Sequence, residues 1–291
     1  MIPAAFEYHR PRSLQEAVAL LAAKGEGAKA LAGGHSLLPL MKFRLARPAA
    51  LVDLGRIPEL ATIRETDGAI RIGPMATHAS LAASDLLRRR FVALSEAAGL
   101  IGDPQVRHRG TLGGSLAHAD PAADYPAPVL AFEAEVRVVG PRGERTIRAI
   151  DFFVDMLTTV LRPEELIAEV RLPAPPPASG SAYAKFPHPA SRFAVAGVAA
   201  VVTLEKAGTV EQARIGVTGA AAKPSRATAA EAALTGGPAT PERIAAAAAK
   251  AADGLECLGD LVASPEYRAH LVCVMARRAL EAAVRRASGE P

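Results

Sequence analysis

Residues 101–124 read Ile101-Gly-Asp-Pro-Gln-Val-Arg-His-Arg-Gly-Thr-Leu-Gly-Gly-Ser-Leu-Ala-His-Ala-Asp-Pro-Ala-Ala-Asp124. The centre of this stretch, Thr111-Leu112-Gly113-Gly114-Ser115, is a diglycine turn followed by a serine and a potential helix start. Glycine has no Cβ and tolerates positive φ, so successive backbone N–H groups can point at one anion. The stretch therefore predicts a loop that approaches a negatively charged ligand closely.

A second diglycine turn, Ala32-Gly33-Gly34-His35-Ser36, lies about eighty residues earlier in the chain. It follows Ala28–Ala32, which predicts a short buried strand, and precedes a potential helix over Leu37–Arg44 and a strand at 51–54. This order predicts a small strand, turn, helix, strand unit. Two such loops could clamp a pyrophosphate from both sides, and a helix N-terminus adds about 0.3–1 kcal/mol for each charged contact.

Other functions for these turns are disfavoured, although each diglycine alone is also compatible with a plain tight turn. Neither turn has the spacing G-x-G-x-x-G, and no lysine follows a glycine as in a phosphate-binding P-loop. Ser36 and Ser115 lack the G-x-S-x-G pattern of a hydrolase. His35, His118 and Asp120 do not supply a recognisable set of three or four metal ligands, so we expect no metal site and no catalytic side chain.

The composition indicates a folded chain of two or three domains. Of its 291 residues, 50% are hydrophobic and 22% are charged, which excludes a largely disordered chain. The formal charge is only +4, with basic and acidic residues interspersed, so we do not expect nucleic-acid binding. No apolar run reaches the roughly 18 residues of a membrane span. We expect a cytoplasmic protein, with a peripheral position at the inner face of the membrane left open.

Local patterns predict further elements. Ser13-Leu-Gln-Glu16 has capping-box form and opens a first helix. The middle of the chain predicts a strand at Ala69–Gly73 and helices over Leu81–Arg89 and Phe91–Ala98. Residues 135–139 and 145–150 flank the turn residues Gly140–Gly143 and predict a hairpin, and 166–172 predicts one more strand.

A proline-rich run, Pro173–Ser181, cannot continue a strand or a helix and predicts a connector between domains. Beyond it, the segments 182–186, 194–205 and 210–218 are rich in β-forming residues and turn at Ala207-Gly208. Thr240-Pro-Glu and Ser264-Pro-Glu then open two helices. On the second helix we expect one buried face that contains Tyr267, Leu271, Val274 and Met275.

The predicted fold class is α+β. We expect a two-part cofactor-binding domain, made of a small βαβ-type subdomain at residues 1–58 and a mixed or antiparallel sheet subdomain at 59–174. A C-terminal domain of antiparallel sheet covered by helices follows at residues 175–291.

The two glycine stretches, in this order and at this spacing, resemble the FAD-binding subunits and domains of the xanthine dehydrogenase and carbon monoxide dehydrogenase family of molybdenum hydroxylases. The likeness runs from Tyr8-His-Arg-Pro through the C-terminal domain and so covers essentially the whole chain. Ser115 departs from the family pattern, because many members have Asn at this position.

The resemblance implies a set of FAD-binding residues. One wall of the pyrophosphate site would be Ala32, Gly33, Gly34, His35, Ser36 and Leu37, and the other Thr111, Gly113, Gly114 and Ser115. Asp124 would accept hydrogen bonds from the sugar or ribityl hydroxyls. Ile101 would lie against the isoalloxazine ring, and Lys185 would reach the flavin from the C-terminal domain.

The resemblance also implies a function. The chain would be the FAD-binding electron-transfer subunit of an oxidoreductase, the first expectation being the medium subunit of a carbon monoxide dehydrogenase. A partner subunit would carry molybdopterin and another two 2Fe-2S clusters, in a dimer of heterotrimers (heterohexamer), with a quinone or O2 as acceptor. Cys257 and Cys273, the chain's two cysteines, do not form a cluster motif, so the clusters must be on another chain. The alternatives are the medium subunit of an aldehyde, xanthine or other N-heterocycle dehydrogenase, a stand-alone flavin oxidase, and a scaffold subunit without cofactor.

Overall fold

The computed structural model describes residues 2–205 and 208–289. Its N-terminal part is a three-stranded parallel sheet in the order β1-β3-β2. The elements in chain order are β1 (Glu7–His9), α1 (Leu14–Lys24), β2 (Ala28–Leu31), α2 (Leu37–Lys42) and β3 (Ala50–Asp53). Each connection contains a helix that returns the chain to the end of the sheet where the previous strand began, so the next strand runs parallel. The βαβ-type arrangement expected from the sequence is confirmed.

Helix α1 begins at the predicted cap. The Ser13 hydroxyl accepts a hydrogen bond from the backbone N–H of Glu16 at 3.1 Å. The Glu16 carboxylate accepts from the backbone N–H of Arg12 at 2.8 Å, one residue before the cap. The serine half of the capping box is therefore confirmed, while the glutamate half satisfies a different backbone donor.

The middle part is an antiparallel sheet of five strands, in the order β4-β5-β10-β6-β7, with helices packed on it. Its elements are β4 (Ile63–Thr66), β5 (Ala69–Ile72), α3 (His78–Ala83), α4 (Asp85–Arg90), α5 (Val92–Leu100), α6 (Pro104–Arg107), α7 (Leu112–His118), α8 (Pro126–Ala131), β6 (Glu135–Gly140), β7 (Gly143–Arg148), α9 (Ala149–Phe152), β8 (Phe153–Asp155), β9 (Thr158–Thr159) and β10 (Leu166–Pro173). The predicted hairpin at residues 140–143 is confirmed.

Two element boundaries in this part were predicted wrongly. The single helix expected over Leu81–Arg89 is two helices, α3 and α4. Ser84 interrupts it because its hydroxyl accepts from Leu87 N–H and caps the second helix. The strand expected to reach Ile150 ends at Arg148, where helix α9 begins.

The C-terminal part is a four-stranded antiparallel sheet in the order β11-β12-β13-β14. Its elements are β11 (Ser179–Pro187), β12 (Ala194–Leu204), β13 (Val210–Thr218), β14 (Ser225–Arg226), α10 (Thr228–Leu234), α11 (Pro241–Ala248) and α12 (Pro265–Ala287). All eleven residues of β12 are buried. The sheet is covered on one face by α10–α12 and on the other by α5 and α8 of the middle part.

The connector and helix α12 differ in part from the predictions for this region. The connector is shorter than Pro173–Ser181, because β10 includes Pro173 and β11 begins at Ser179. On α12, Leu271 and Met275 are buried as expected and Val274 is half-buried, but Tyr267 is 44% exposed and its neighbour Arg268 is buried. The guanidinium of Arg268 donates to the carbonyls of Val195 and Gly219, so a charged residue occupies a core position. Ala207 of the predicted turn lies outside the described residues.

The expected α+β class is confirmed. The division into segments 1–58, 59–174 and 175–291 stays a prediction, and the cores cross it. Leu166 and Ala168 of β10 pack with the N-terminal sheet, and Tyr183 of β11 packs with the middle core. Within the described ranges, none of the helices has the length and apolar character needed to span a bilayer.

Close contact between α8 and β13 predicts a stability effect at Gly216. A Cβ on this residue would lie 2.1 Å from the carbonyl oxygen of Ala127, which is backbone and cannot rotate away. We expect Gly216→Ala to lower the free energy of unfolding by about 1–3 kcal/mol, measured by urea denaturation. Gly99→Ala is the control, since its Cβ would have a nearest neighbour at 4.0 Å. Equal stabilities for the two variants would contradict the prediction.

Candidate functional site

The first glycine loop connects β2 to α2 and carries unused backbone donors. The N–H groups of residues 33–36 donate to no other group in the part of the chain that the structure describes. Gly34 has a φ of +76°, a left-handed conformation that glycine adopts without strain. The first hydrogen bond after the loop, from Leu38 N–H to Gly34 O at 3.0 Å, starts the helix. Four successive backbone N–H groups without protein acceptors, in residues that are half-buried or exposed, are suited to binding an anion.

The second glycine loop opens α7, and its N–H groups bond within the protein. Thr111 is the N-cap, and its Oγ1 accepts from Gly114 N–H at 3.2 Å. Gly113 N–H donates to Pro74 O at 2.8 Å, and Ser115 N–H donates to Thr111 O at 3.1 Å. The two loops are therefore not equivalent halves of a clamp. The N–H groups of the first loop are available to a ligand, whereas those of Gly113, Gly114 and Ser115 in the second loop donate within the chain.

The two loops touch each other. A Cβ on Gly33 would lie 2.1 Å from Arg109 O and 2.8 Å from Gly110 Cα. A Cβ on Gly114 would lie 3.4 Å from the Cβ of Ala32. The structure thus brings the two sets of predicted pyrophosphate-binding residues, 32–37 and 111–115, next to each other. Their contact with a cofactor stays a prediction.

Asp124 and Lys185 form a buried ion pair between the middle and C-terminal parts. The Lys185 ammonium lies 2.8 Å from Asp124 Oδ1 and 2.9 Å from Oδ2, with side chains only 2% and 4% exposed. The Tyr183 hydroxyl donates to Asp124 Oδ1 at 2.7 Å. Burial raises the pKa of Asp124, while the charge of Lys185 and the hydrogen bonds from Lys185 and Tyr183 act in the opposite direction.

This pair reaches Leu100, the residue before Ile101. Lys185 donates to the carbonyl of Leu100 at 3.2 Å, and Arg107 donates to the carbonyl of Ile101 at 3.0 Å. Ile101 is half-buried at the end of α5. The predicted site residues therefore form two groups, the joined loops and the cluster of Ile101, Asp124 and Lys185. Each carboxylate oxygen of Asp124 already has a protein donor, so its expected bond to the cofactor's hydroxyls would be an additional one and stays a prediction.

His78 and Tyr125 are neighbours of the site that sequence reasoning missed. His78 Nδ1 lies 2.8 Å from the Tyr125 hydroxyl, and His78 N–H donates to Gly110 O at 3.0 Å. Burial lowers the pKa of His78 to about 4, with His35 and Arg107 contributing further. No sequence motif distinguishes this histidine from an ordinary core residue, because its partners lie 32 and 47 positions along the chain.

The chemistry of this donor set favours binding of a phosphate-containing molecule. Backbone N–H groups hold an anion without a titrating side chain. Within residues 2–205 and 208–289, no cluster of three or more His, Cys, Asp or Glu side chains is arranged to hold a metal ion.

Comparison with known proteins identifies the ligand class. Residues 4–175 match the family model described as FAD binding domain in molybdopterin dehydrogenase, and residues 181–283 match the CO dehydrogenase flavoprotein C-terminal domain. The chain therefore belongs to the FAD-binding flavoprotein chains of the molybdopterin dehydrogenase family. The unused donors of residues 33–36 fit the diphosphate of FAD.

Particular relatives match along their whole length. The chain is 43% identical to the carbon monoxide dehydrogenase medium chain of Hydrogenophaga pseudoflava, covering 97% of this chain and 98% of the relative. It is 41% identical to the 6-hydroxypseudooxynicotine dehydrogenase complex subunit alpha of Paenarthrobacter nicotinovorans, covering 99% and 97%. The structure superimposes on carbon monoxide dehydrogenase from Hydrogenophaga pseudoflava with a TM-score of 0.94 at 46% identity, covering 98% of this chain and 99% of the other.

The buried ion pair predicts a large effect of removing one partner. Lys185→Met would leave the Asp124 carboxylate buried without its cation. We expect the free energy of unfolding to fall by about 3–5 kcal/mol, measured by urea denaturation. The double variant Asp124→Asn/Lys185→Met removes both charges and is expected to recover part of the loss. A double variant as unstable as Lys185→Met would argue against an uncompensated charge as the cause.

The depressed pKa of His78 predicts a pH dependence of stability. The pKa of about 4 keeps folded His78 neutral down to about pH 4, whereas in the unfolded chain it takes up a proton near the ordinary histidine pKa of 6.5. The unfolded state binds more protons in this window, so this residue's contribution falls as pH falls, by at most about 1.4 kcal/mol per pH unit. We expect the stability difference between wild type and His78→Gln to change between pH 6.5 and 4 in favour of the variant. A difference independent of pH would contradict this.

Proposed function

We propose that this chain is the FAD-carrying electron-transfer subunit of a molybdenum hydroxylase of the carbon monoxide dehydrogenase type. The observation that carries the proposal is the joined pair of glycine loops, with the four N–H groups of residues 33–36 lacking partners among the described residues. An FAD diphosphate presents anionic oxygens that such donors bind. The family assignment supplies the identity of the cofactor.

The residues of this chain would hold and orient the cofactor. The loop residues 32–37 and 111–115 would bind the diphosphate, and Ile101 would cover one face of the ring. Lys185 and Asp124 lie beside Ile101 through the Leu100 carbonyl, which supports a position near the flavin end. Bound FAD supplies a ring that accepts and releases electrons, and a nearby cation would favour its anionic reduced form.

The proposed partners are a large molybdopterin subunit and a small subunit with 2Fe-2S clusters. The relative from Hydrogenophaga pseudoflava is a medium chain, and the relative from Paenarthrobacter nicotinovorans is a subunit of a complex. Matches over 97% or more of these relatives support the same role here. We further propose a dimer of heterotrimers in the cytoplasm, with a quinone or O2 as the external acceptor.

Carbon monoxide is the first proposed substrate of the complete enzyme, and an N-heterocyclic or related compound is the second. The identities to the two relatives, 43% and 41%, differ little although their names specify different substrates. This supports the view that the substrate is selected on the large subunit. Purification of the native complex, with mass analysis of its chains and turnover assays with carbon monoxide and 6-hydroxypseudooxynicotine, would distinguish these possibilities.

A substitution in the first loop tests cofactor binding directly. In Gly33→Ala the new Cβ would meet Arg109 O at 2.1 Å and force the loops apart. We expect FAD affinity to fall by about tenfold or more, because several hydrogen bonds to charged oxygens would be misaligned. The measurement is titration of flavin-free protein with FAD, followed by quenching of flavin fluorescence.

The matched control is Gly27→Ala, whose Cβ would make an ordinary contact with Ala49 Cβ at 3.4 Å. It shares the substitution but lies at the other end of β2. Absence of flavin from the native complex would contradict the proposed function. Full FAD affinity in Gly33→Ala would show that the contact between the two loops is not needed for FAD binding.

A further inference from the structure

Helix α2 and the turn that follows it expose apolar side chains to solvent. Apart from Lys42, every residue of α2 is apolar, yet within this helix Met41 alone is buried. Leu38 is 37% exposed, and in the following turn Phe43 and Leu45 are 62% and 76% exposed. Single exposed apolar side chains are ordinary, whereas several in one short segment indicate an interaction site.

Cations accompany these apolar side chains in the same segment. Lys42, Arg44 and Arg47 are exposed, and none of the three forms an ion pair with a carboxylate in residues 2–205 and 208–289. Residues 27–52 contain no Asp or Glu, so the charge is not neutralised locally. The α2 surface is therefore apolar with a positive rim, and its exposed side chains are those of Leu38, Lys42, Phe43, Arg44, Leu45 and Arg47.

The turn after α2 is fixed by hydrogen bonds. The N–H groups of Leu45 and Ala46 both donate to Leu40 O, at 2.9 and 3.2 Å. Arg44 N–H donates to Met41 O at 3.0 Å, and the left-handed φ of +59° at Arg44 is held by this turn. A partner that binds the α2 surface therefore meets a backbone that is already ordered, which lowers the entropy cost of binding.

The charge of the α2 surface disfavours a second copy of this chain as its partner. In a symmetric dimer the same surface lies on both sides of the interface. The cations Lys42, Arg44 and Arg47 would then approach the same three cations with no carboxylate from this segment between them. Like charges brought together across an interface are unfavourable, so the partner must be a different molecule with negative charge.

A lipid surface is also a poor match. Protein segments that bind anionic lipids usually carry a cluster of about four to eight Lys or Arg, or a longer amphipathic helix. Helix α2 has six residues, and the α2 surface carries fewer cations than such clusters do. A protein surface with apolar side chains and surrounding carboxylates complements both the apolar centre and the positive rim.

The α2 surface adjoins the first glycine loop. Leu38 N–H donates to Gly34 O at 3.0 Å, and Leu38 Cδ1 would lie 2.8 Å from a Cβ on Gly34. We propose that the α2 surface is the docking site for another chain of the complex, one whose contact surface carries apolar side chains surrounded by Asp or Glu. The inference rests on the proposed function, which makes this chain a subunit, and it assigns residues that join the chain to a partner.

Removal of the apolar side chains tests this docking site. The tagged chain is co-expressed with its natural partner chains, and mass analysis measures how much of each partner chain is recovered with it. We expect Phe43→Ser/Leu45→Ser to lower recovery of one partner chain by about tenfold or more, because truncation of buried apolar anchors weakens an interface strongly. Leu261→Ser is the matched control, since Leu261 is completely exposed but lies before α12, and it is expected to keep full recovery.

Reversal of charge tests the positive rim. We expect Lys42→Glu/Arg44→Glu to lower recovery of the same partner chain by about tenfold or more, because the new carboxylates would face those of the partner. The control Arg89→Glu/Arg278→Glu makes the same change of charge on α4 and α12 and is expected to keep full recovery. For the wild-type complex, recovery is expected to fall as salt concentration rises, since salt screens exposed charges.

The isolated variants show whether a loss of recovery comes from misfolding. Circular dichroism checks the fold of each variant, and flavin fluorescence quenching measures its FAD affinity. Both are expected to match wild type, because the substituted side chains lie outside the predicted FAD-binding residues. A loss of partner recovery with native fold and FAD affinity supports the docking site.

Other outcomes overturn the inference. Full recovery of the partner chains by both double variants would do so, as would an equal loss in the control variants. If the double variants keep their partner chains but lose wild-type binding to phosphatidylserine–phosphatidylcholine vesicles, the α2 surface binds lipid. If they keep their partner chains but lose self-association seen for wild type by analytical ultracentrifugation, it binds a second copy. Absence of FAD from the wild-type complex would contradict the proposed function, whereas loss of a partner chain in the double variants would still support this docking site.

Discussion

The site depends on one close contact, that of Gly33 with the Arg109–Gly110 peptide. A Cβ on Gly33 would lie 2.1 Å from Arg109 O, so only glycine allows the two loops to meet. This contact joins the βαβ unit to the sheet subdomain at the point where the first loop offers its donors. The second loop is fixed by the hydrogen bond from Gly113 N–H to Pro74 O and by the packing of His78 against Gly110. The first loop therefore packs against a rigid segment.

The C-terminal sheet completes this arrangement from the other end of α7. Strand β12 is buried on both faces, which makes the sheet a layer between its own helices and those of the middle part. Polar bonds fix the register of this junction: Asp124 pairs with Lys185, and Arg286 pairs with Glu96 at 2.6 Å. The position of Lys185 beside Leu100 therefore follows from the packing of the C-terminal sheet on α5 and α8 and not from local sequence.

Much of the fold could be predicted from the sequence, because the elements carry local signals. Glycine turns, proline-opened helices and the Gly140–Gly143 hairpin all appear where expected. Predictions of helix bounds and buried faces failed where a polar residue took a structural role. Ser84 caps a second helix, and Arg268 occupies a buried position on α12. Both loops of the candidate site were found by their glycines, but the Asp124–Lys185 pair joins residues 61 positions apart and has no local signal.

The glycines themselves are weaker evidence for a cofactor than the sequence alone indicates. Gly33 is required by Arg109, and a Cβ on Gly113 would lie 2.2 Å from Pro74 Cβ, so both serve contacts within the chain. A chain without cofactor would still need them to fold, so their presence alone does not distinguish a flavoprotein from a scaffold. The helices that follow have only six and seven residues, so their dipoles add little beyond the terminal N–H groups. What favours a bound diphosphate is that the N–H groups of residues 33–36 have no acceptor among the described residues, an arrangement that chain packing does not require.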